Sequence, residues 1–235
     1  MAYTNSVRDG RQSKVYLLKF DTTTEVTSVE KGKIYAVKAK ASTGSKLGDL
    51  KVGDFLIATS DLTLGTGDKL EAVTPLFLGG ATDKDLSFEK STSVITCDKD
   101  SSEQSISDGK VASSGSVTAY DLLDNDVESA INIVRSRFNK VVTYGADGAP
   151  IVTDGDKTAK DVLMFLWDAR DLDEGEYVAV DFVPALLSSQ GHGASYGSGQ
   201  TMPINFTGND TDELGHKRSY HQFAYTAEFG EAMGL

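Results

Sequence analysis

Short runs of apolar and β-branched residues recur along the chain, separated by turns rich in Gly, Asp and Ser. This spacing is typical of antiparallel strands joined by short connections. Because Pro75 has no backbone N–H, the run that contains it is expected to be an edge strand or a bulged strand. The predicted strands cover residues 14–20, 33–40, 54–59, 69–78, 86–97, 116–120, 141–144, 151–153, 162–167, 177–183 and 220–225.

One segment, 121–140, has the spacing of a helix instead. Asp124 or Asn125 is expected to cap its start. A single helix cannot supply the crossovers of a parallel sheet. The sequence therefore predicts a mainly β fold, an antiparallel β-sandwich or barrel with one α-helix at about 121–140. The apolar residues of this helix recur every three or four positions and share one face: Leu123, Val127, Ile131, Val134 and Phe138.

Two polar segments separate predicted strands. Residues 98–105 are hydrophilic, and we expect them to form an exposed hairpin tip. Residues 188–199 are rich in Gly and Ser, which is typical of a mobile loop or of a segment that orders only against another copy of the chain.

Length and composition favour an ordinary globular domain. The chain has 235 residues, of which 39% are hydrophobic and one is cysteine, Cys97. A single cysteine excludes an internal disulfide framework and a multi-cysteine zinc site. No apolar run approaches the roughly 18 residues of a membrane helix, and the first residues are polar. We therefore expect a soluble protein made in a cytoplasm.

The net charge is −12, from 23 Lys and Arg against 35 Asp and Glu. This balance argues against a protein that grips nucleic acid through its phosphates, which needs clustered cations. Residues 1–40 nevertheless carry a net charge of +4, so the remainder carries −16. A cationic start on an anionic body is typical of a nucleic-acid arm, a solvated end or one half of a self-complementary contact.

The clearest candidate for catalytic chemistry is the Gly-Ala-Ser-Tyr-Gly sequence around Ser195, which has the spacing of a serine nucleophile elbow. Asp210 or Asp212 and then His216 or His221 follow in the order of that fold. An elbow requires a strand before the serine and a helix after it. Ser195 lies instead in a Gly/Ser run with no helical pattern after it, so the match is interpreted as coincidence.

Other site patterns are absent from the sequence. His216 and His221 lack the spacing of a zinc-binding helix, and the acidic stretch 168–176 lacks the register of a calcium loop. Neither a phosphate-binding loop nor a dinucleotide fingerprint occurs. We expect no catalytic residue, no cofactor and no metal, and hence no enzyme.

Residues 86–100 resemble a segment of bacteriophage tail tube proteins, in which a long strand with a Thr-rich end precedes a polar loop and a returning strand. Here residues 104–120 supply the return, and the helix at 121–140 follows as in that family. Residues 176–182 and 199–208 look like the later strands of the same fold. The resemblance covers 86–208. It implies one tail-tube-like domain over 1–235, with an N-terminal arm at 1–13 and an insertion or divergent hairpin at 41–80.

The resemblance implies a structural virion protein. Such subunits form hexameric rings that line a lumen with a continuous β-barrel and stack into a tube that conducts the genome. DNA then passes through the lumen without specific binding. The partners implied are further copies and other tail proteins: the terminator, the baseplate or tip, and a sheath in a contractile tail. The location implied is the virion tail, after assembly in the host cytoplasm.

Two charged segments are the expected assembly contacts of such a tube. The cationic N-terminus is expected to meet an acidic surface on a neighbour through Arg8, Arg11 and Lys14. The polar loop is expected to order against the next ring, and its charged residues are Asp98, Lys99, Asp100 and Glu103.

Two other classes stay open from the sequence. A capsid or tail decoration module shares the β-rich, acidic and motif-free character, but binds preformed virions and does not polymerise alone. A serine hydrolase is the remote alternative, and it requires Ser195 to react with an activated phosphonate.

Overall fold

The computed structural model describes residues 13–78, 81–96, 103–120, 128–155, 160–167, 177–194, 199–208 and 220–225. Their elements in chain order are β1 Lys14–Val26, β2 Ser28–Val29, β3 Ile34–Ala39, β4 Phe55–Ile57, β5 Leu62–Thr63, β6 Lys69–Phe77, β7 Ala81–Thr96, β8 Glu103–Tyr120, α1 Ala130–Phe138, β9 Val141–Tyr144, β10 Pro150–Thr153, β11 Lys160–Trp167, β12 Tyr177–Gln190, β13 Thr201–Gly208 and β14 Tyr220–Tyr225.

Most strands form one antiparallel sheet of ten strands. Nine follow the order β4-β3-β6-β1-β11-β12-β13-β8-β7, and β14 pairs with the first half of β12. Two small two-stranded sheets stand apart from it: the hairpin of β9 and β10, and β2 paired with β5. The predicted mainly β, antiparallel fold is confirmed. Within the described strands the sheet is open and does not close into a barrel.

The sheet curls so that its β4 end covers its own middle. Phe55 on β4 stacks on Phe182 of β12, with ring centroids 4.6 Å apart. In the sheet order, four strands separate β4 from β12, namely β3, β6, β1 and β11. One core lies between the two layers that this creates, and it includes Tyr16 and Met164. The predicted sandwich-like arrangement therefore comes from one sheet folded over itself.

A second core covers the other face of the central strands. Leu17 of β1 and Phe165 of β11 pack there with Ile131 and Val134 of α1. Since β11 is buried on both faces, its sequence Val162–Leu166 reads as a continuous apolar run rather than an alternating one. The central strands thus bury both faces, with α1 covering the second.

The helix is shorter than predicted. It begins at Ala130, because the Ser129 hydroxyl accepts a hydrogen bond from the Asn132 N–H at 3.4 Å and caps the first turn. The described helix is thus capped by Ser129, and Asp124 and Asn125, the expected caps, lie outside the described part of the chain. The apolar spacing continues upstream of Ser129, so periodicity alone could not mark the start.

Pro75 occupies an unexpected place. β6 as a whole lies inside the sheet, between β3 and β1, so the expectation of an edge strand was wrong. The alternative of a bulged strand was wrong as well, because the register shifts beside β6 put the extra residues in β1 and β3. Pro75 pairs with Leu18 of β1, whereas the pairing of β6 with β3 stops at Val73. Pro75 therefore lies where β6 has β1 as its one described neighbour. Its missing N–H removes no hydrogen bond between β6 and β3, because that pairing has already ended.

An ion pair fixes the helix against the sheet. Arg137 donates to both carboxylate oxygens of the buried Asp161 on β11, at 2.8 Å and 3.1 Å. The fork geometry of the guanidinium suits this two-point contact. The helix is therefore held in register on the sheet by a polar contact as well as by Ile131 and Val134.

Replacing Phe55 tests the folded-over arrangement. We expect Phe55→Ala to lower the free energy of unfolding by about 3–5 kcal/mol, because it leaves a cavity against Phe182. The matched control is Phe88→Ala, since Phe88 is 46% exposed and Phe55 only 1%; its effect should stay near 0.5 kcal/mol. Urea denaturation of dilute protein measures both. Equal losses in the two variants would contradict the arrangement.

Candidate assembly surface

The longest open backbone edge belongs to β7. Of its sixteen residues, fourteen pair with β8, from Ala81↔Ala119 to Thr96↔Glu103, and the register shifts between Ala81 and Asp83 and between Lys90 and Thr92. No described strand pairs with its other side. A strand of this length presents about 50 Å of backbone N–H and C=O groups, which is a template for another strand. The edge is therefore the most evident place for a second chain to add to the sheet.

The far half of the β7–β8 hairpin extends beyond the rest of the sheet. β13 pairs with β8 only from Ser114 to Tyr120, so Glu103–Ala112 of β8 has β7 as its one described neighbour. We call this part, residues 90–96 with 103–112, the projecting hairpin. An isolated two-stranded hairpin is only marginally stable in water. Packing against another molecule would stabilise it.

The base of this hairpin belongs to a sheet region with one polar face. On β13, Met202, Ile204 and Phe206 point into the core, and the residues between them point out. Residues paired across the strands share a face, so β8 and β7 are divided in the same way into a core side and an outward side. On the outward side, the Asn205 amide donates a hydrogen bond to the Ser189 hydroxyl of β12 at 2.7 Å. We define the polar face by Asp83, Asp85, Ser87, Glu89, Ser114, Ser116, Thr118, Ser189, Thr201, Asn205 and Thr207. The register also puts the exposed Tyr120, Leu186 and Pro203 on this side, at its margins and between the hydroxyl groups.

The polar face is negatively charged. Asp83, Asp85 and Glu89 are exposed on it. Among the side chains described on β7, β8, β12 and β13, the one cation is Lys84, and it lies on the opposite face because it pairs with the core residue Val117. Burial there lowers the pKa of Lys84. This surface therefore repels polyanions and holds water through its hydroxyl groups.

The structure places only some of the predicted contact residues. Lys14 is the first residue of β1, its Nζ lies 5.8 Å from the centre of the Phe77 ring, and burial lowers its pKa. Glu103 begins β8 with its backbone opposite Thr96. The other five, Arg8, Arg11, Asp98, Lys99 and Asp100, lie outside the described residues. The predicted contacts of these seven residues thus stay predictions.

The residues of the suspected serine site are not brought together by the described structure. Ser195, Asp210, Asp212 and His216 lie outside it, and His221 is placed only by its backbone in β14. The Gly/Ser-rich segment begins later than expected, since β12 continues to Gln190 and Gly193 bridges to Thr201. Within the described ranges no group of three His, Cys, Asp or Glu side chains is arranged for a metal.

Which residues form the polar face was not predicted from the sequence. The signal for this face is the strict alternation of Thr201, Pro203, Asn205 and Thr207 with buried apolar residues.

No helix among the described residues is both long and apolar enough to cross a bilayer.

Comparison with known proteins gives little. No protein-family model matches the chain, and no curated protein does. Among solved structures, the chain is similar to a chain in the tail of an empty GTA particle with C6 symmetry, with 13% sequence identity and a TM-score of 0.36. The match covers 65% of this chain and 87% of that chain. At this level it assigns neither family nor function.

Removing the charge of the polar face tests whether its carboxylates serve the fold. We expect Asp83→Asn, Asp85→Asn and Glu89→Gln together to change the free energy of unfolding by less than about 0.5 kcal/mol, because charges on exposed carboxylates contribute little to stability. The contrasting control is Asp161→Asn, which weakens the buried pair with Arg137 and should cost about 3 kcal/mol. Urea denaturation measures both, and a large loss in the triple variant would show that the face is packed.

Proposed function

We propose that this chain is the structural subunit of a bacteriophage tail tube, forming hexameric rings that stack into a conduit for genome delivery. The observation that carries the proposal is the open edge of β7 together with the projecting hairpin. In a monomer such an edge invites uncontrolled association. In a ring, each copy pairs the edge with its neighbour, and closure leaves none open.

The two faces of the β7–β8–β13 region decide which one would line the lumen. One face packs into the core that contains α1. The polar face is the side left for water. In the proposed ring, the polar face therefore points inward, and Asp83, Asp85 and Glu89 repel the phosphates of passing DNA. The genome then moves through without specific binding.

The projecting hairpin supports the stacking of rings. It reaches beyond the sheet of its own subunit by the length of residues 90–96 and 103–112. In the proposal, Glu103 and the neighbouring charges Asp98, Lys99 and Asp100 meet the next ring. Arg8, Arg11 and Lys14 meet an acidic surface on a neighbouring copy. The residues after position 40 carry a net charge of −16, so they supply acidic surface for this contact.

The remaining parts of the proposal follow from this role. The subunit assembles in the host cytoplasm and ends in the virion tail. It contacts the terminator, the baseplate or tip, and a sheath where the tail contracts. It works without catalysis, cofactor or metal, because its task is to hold a shape.

Electron microscopy and hydrogen exchange together test the proposal. Negative stain of concentrated protein should show stacked rings with a central hole. Peptides from 81–96 should exchange more slowly in assembled than in dilute protein, because their open edge gains partners. The amides of Leu163–Leu166 should not change, since this part of β11 is already paired on both sides. Monomers under all assembly conditions, or rings with unchanged exchange in β7, would overturn the proposal.

Charge reversal tests the assignment of the lumen. Tubes of the variant Asp83→Lys, Asp85→Lys, Glu89→Lys should retain short duplex DNA in a nuclease-resistant form at low salt and release it as salt rises, whereas wild-type tubes should retain none. The control Asp49→Lys, Asp61→Lys, Asp154→Lys has the same net charge at exposed sites off the polar face and outside residues 141–153. DNA on the control tubes should stay open to the nuclease. Equal protection in both variants would contradict the assignment.

A further inference from the structure

The small hairpin of β9 and β10 concentrates exposed apolar surface. Among the described residues, nine large hydrophobic side chains are exposed, and four of them lie here. Val142 is 52% exposed, Tyr144 74%, Ile151 52% and Val152 60%. The two strands pair with each other and with no other described strand.

The register sorts these side chains onto two sides. Val142 lies opposite Val152, and Tyr144 lies opposite Pro150. Residues directly opposite in an antiparallel pair share a face. These four form the apolar hairpin face, while Ile151 points to the other side with Thr143. Because an isolated hairpin is marginal in water, a fully apolar outward face on it indicates that something covers this face.

We propose that the apolar hairpin face is a contact with a second copy of this chain within the assembled tube, an inference that rests on the proposed function. Charge favours a second copy as the occupant. The chain has a net charge of −12, so copies repel one another, yet residues 141–153 carry a single charge, Asp147 in the turn. This is a place where two copies can approach with little repulsion. A cationic partner would be drawn to the acidic surfaces instead.

The size of the face explains why it acts within an assembly. Its side chains offer on the order of 300 Å², against roughly 800 Å² per partner in a standard interface. The face alone cannot hold a dimer. Between subunits already joined through sheet edges, however, the effective concentration is high and a small apolar contact becomes effective.

Rings that stack head to tail relate their copies by rotation and translation. A contact between two copies therefore joins two different surfaces of the chain. The apolar hairpin face therefore meets another apolar position of its neighbour. The remaining exposed large hydrophobics that lie off the polar face are the candidates among the described residues: Val52, Phe77 and Phe88.

The test is Val142→Thr with Val152→Thr, which replaces two methyl groups by hydroxyls and keeps the β-branched shape. The matched control is Ile151→Thr, which changes an equally exposed residue on the other side of the same hairpin. Sedimentation velocity gives the concentration at which half the protein is assembled. We expect the double variant to raise it about tenfold or more, equivalent to 1.4 kcal/mol, and the control to raise it less than about twofold.

Thermal unfolding of the dilute variants by circular dichroism separates assembly from folding. The melting temperature of both variants should match that of the wild type. Assembly of the double variant at the wild-type concentration, an equal rise in the control, or a clearly lower melting temperature of the dilute double variant would each overturn the inference and leave the tail tube proposal standing. A wild-type protein that never assembles would overturn the tail tube proposal itself.

Discussion

The backbone of a β-strand has two hydrogen-bonding edges, and the rest of the structure depends on how the chain satisfies them. β11 and the other central strands are paired on both sides. β7, sixteen residues long, is paired on one side only, and the far half of β8 has no second described neighbour. Unpaired edges of this length are hazards in a stable monomer. In the tube proposed above, another copy completes the sheet at this edge.

The same sheet changes character along its width. At β1 and β11 both faces are buried, one under α1 and the other under the folded-over β4 end. At β13 and β8 only one face is buried, and the other is polar and acidic. The carboxylates follow this change: Asp161 in the core is paired with Arg137, whereas Asp83 and Asp85 face water without a described cation on their face. The buried half holds the fold, and the polar half is available to an assembly.

Local pattern was enough to predict most strands, because alternation and turn residues act over a few positions. The sheet order was not predictable, because β13 pairs with β8 across about 80 residues of chain and β12 exchanges β14 for β13 halfway along its length. The start of α1 was misjudged because apolar spacing continues upstream of Ser129. The polar face required knowledge of which side α1 covers, and the contacts expected at Arg8 and Asp98 remain predictions because those residues lie outside the described structure.

The most direct measurement is a cryo-electron microscopy map of the assembled protein at a resolution that shows backbone pairing. It should show a continuous ladder of hydrogen bonds from β7 of one subunit to a strand of its neighbour, with Asp85 and its companions on the polar face turned toward the central channel. A map in which no subunit shares backbone hydrogen bonds with another would contradict the central claim.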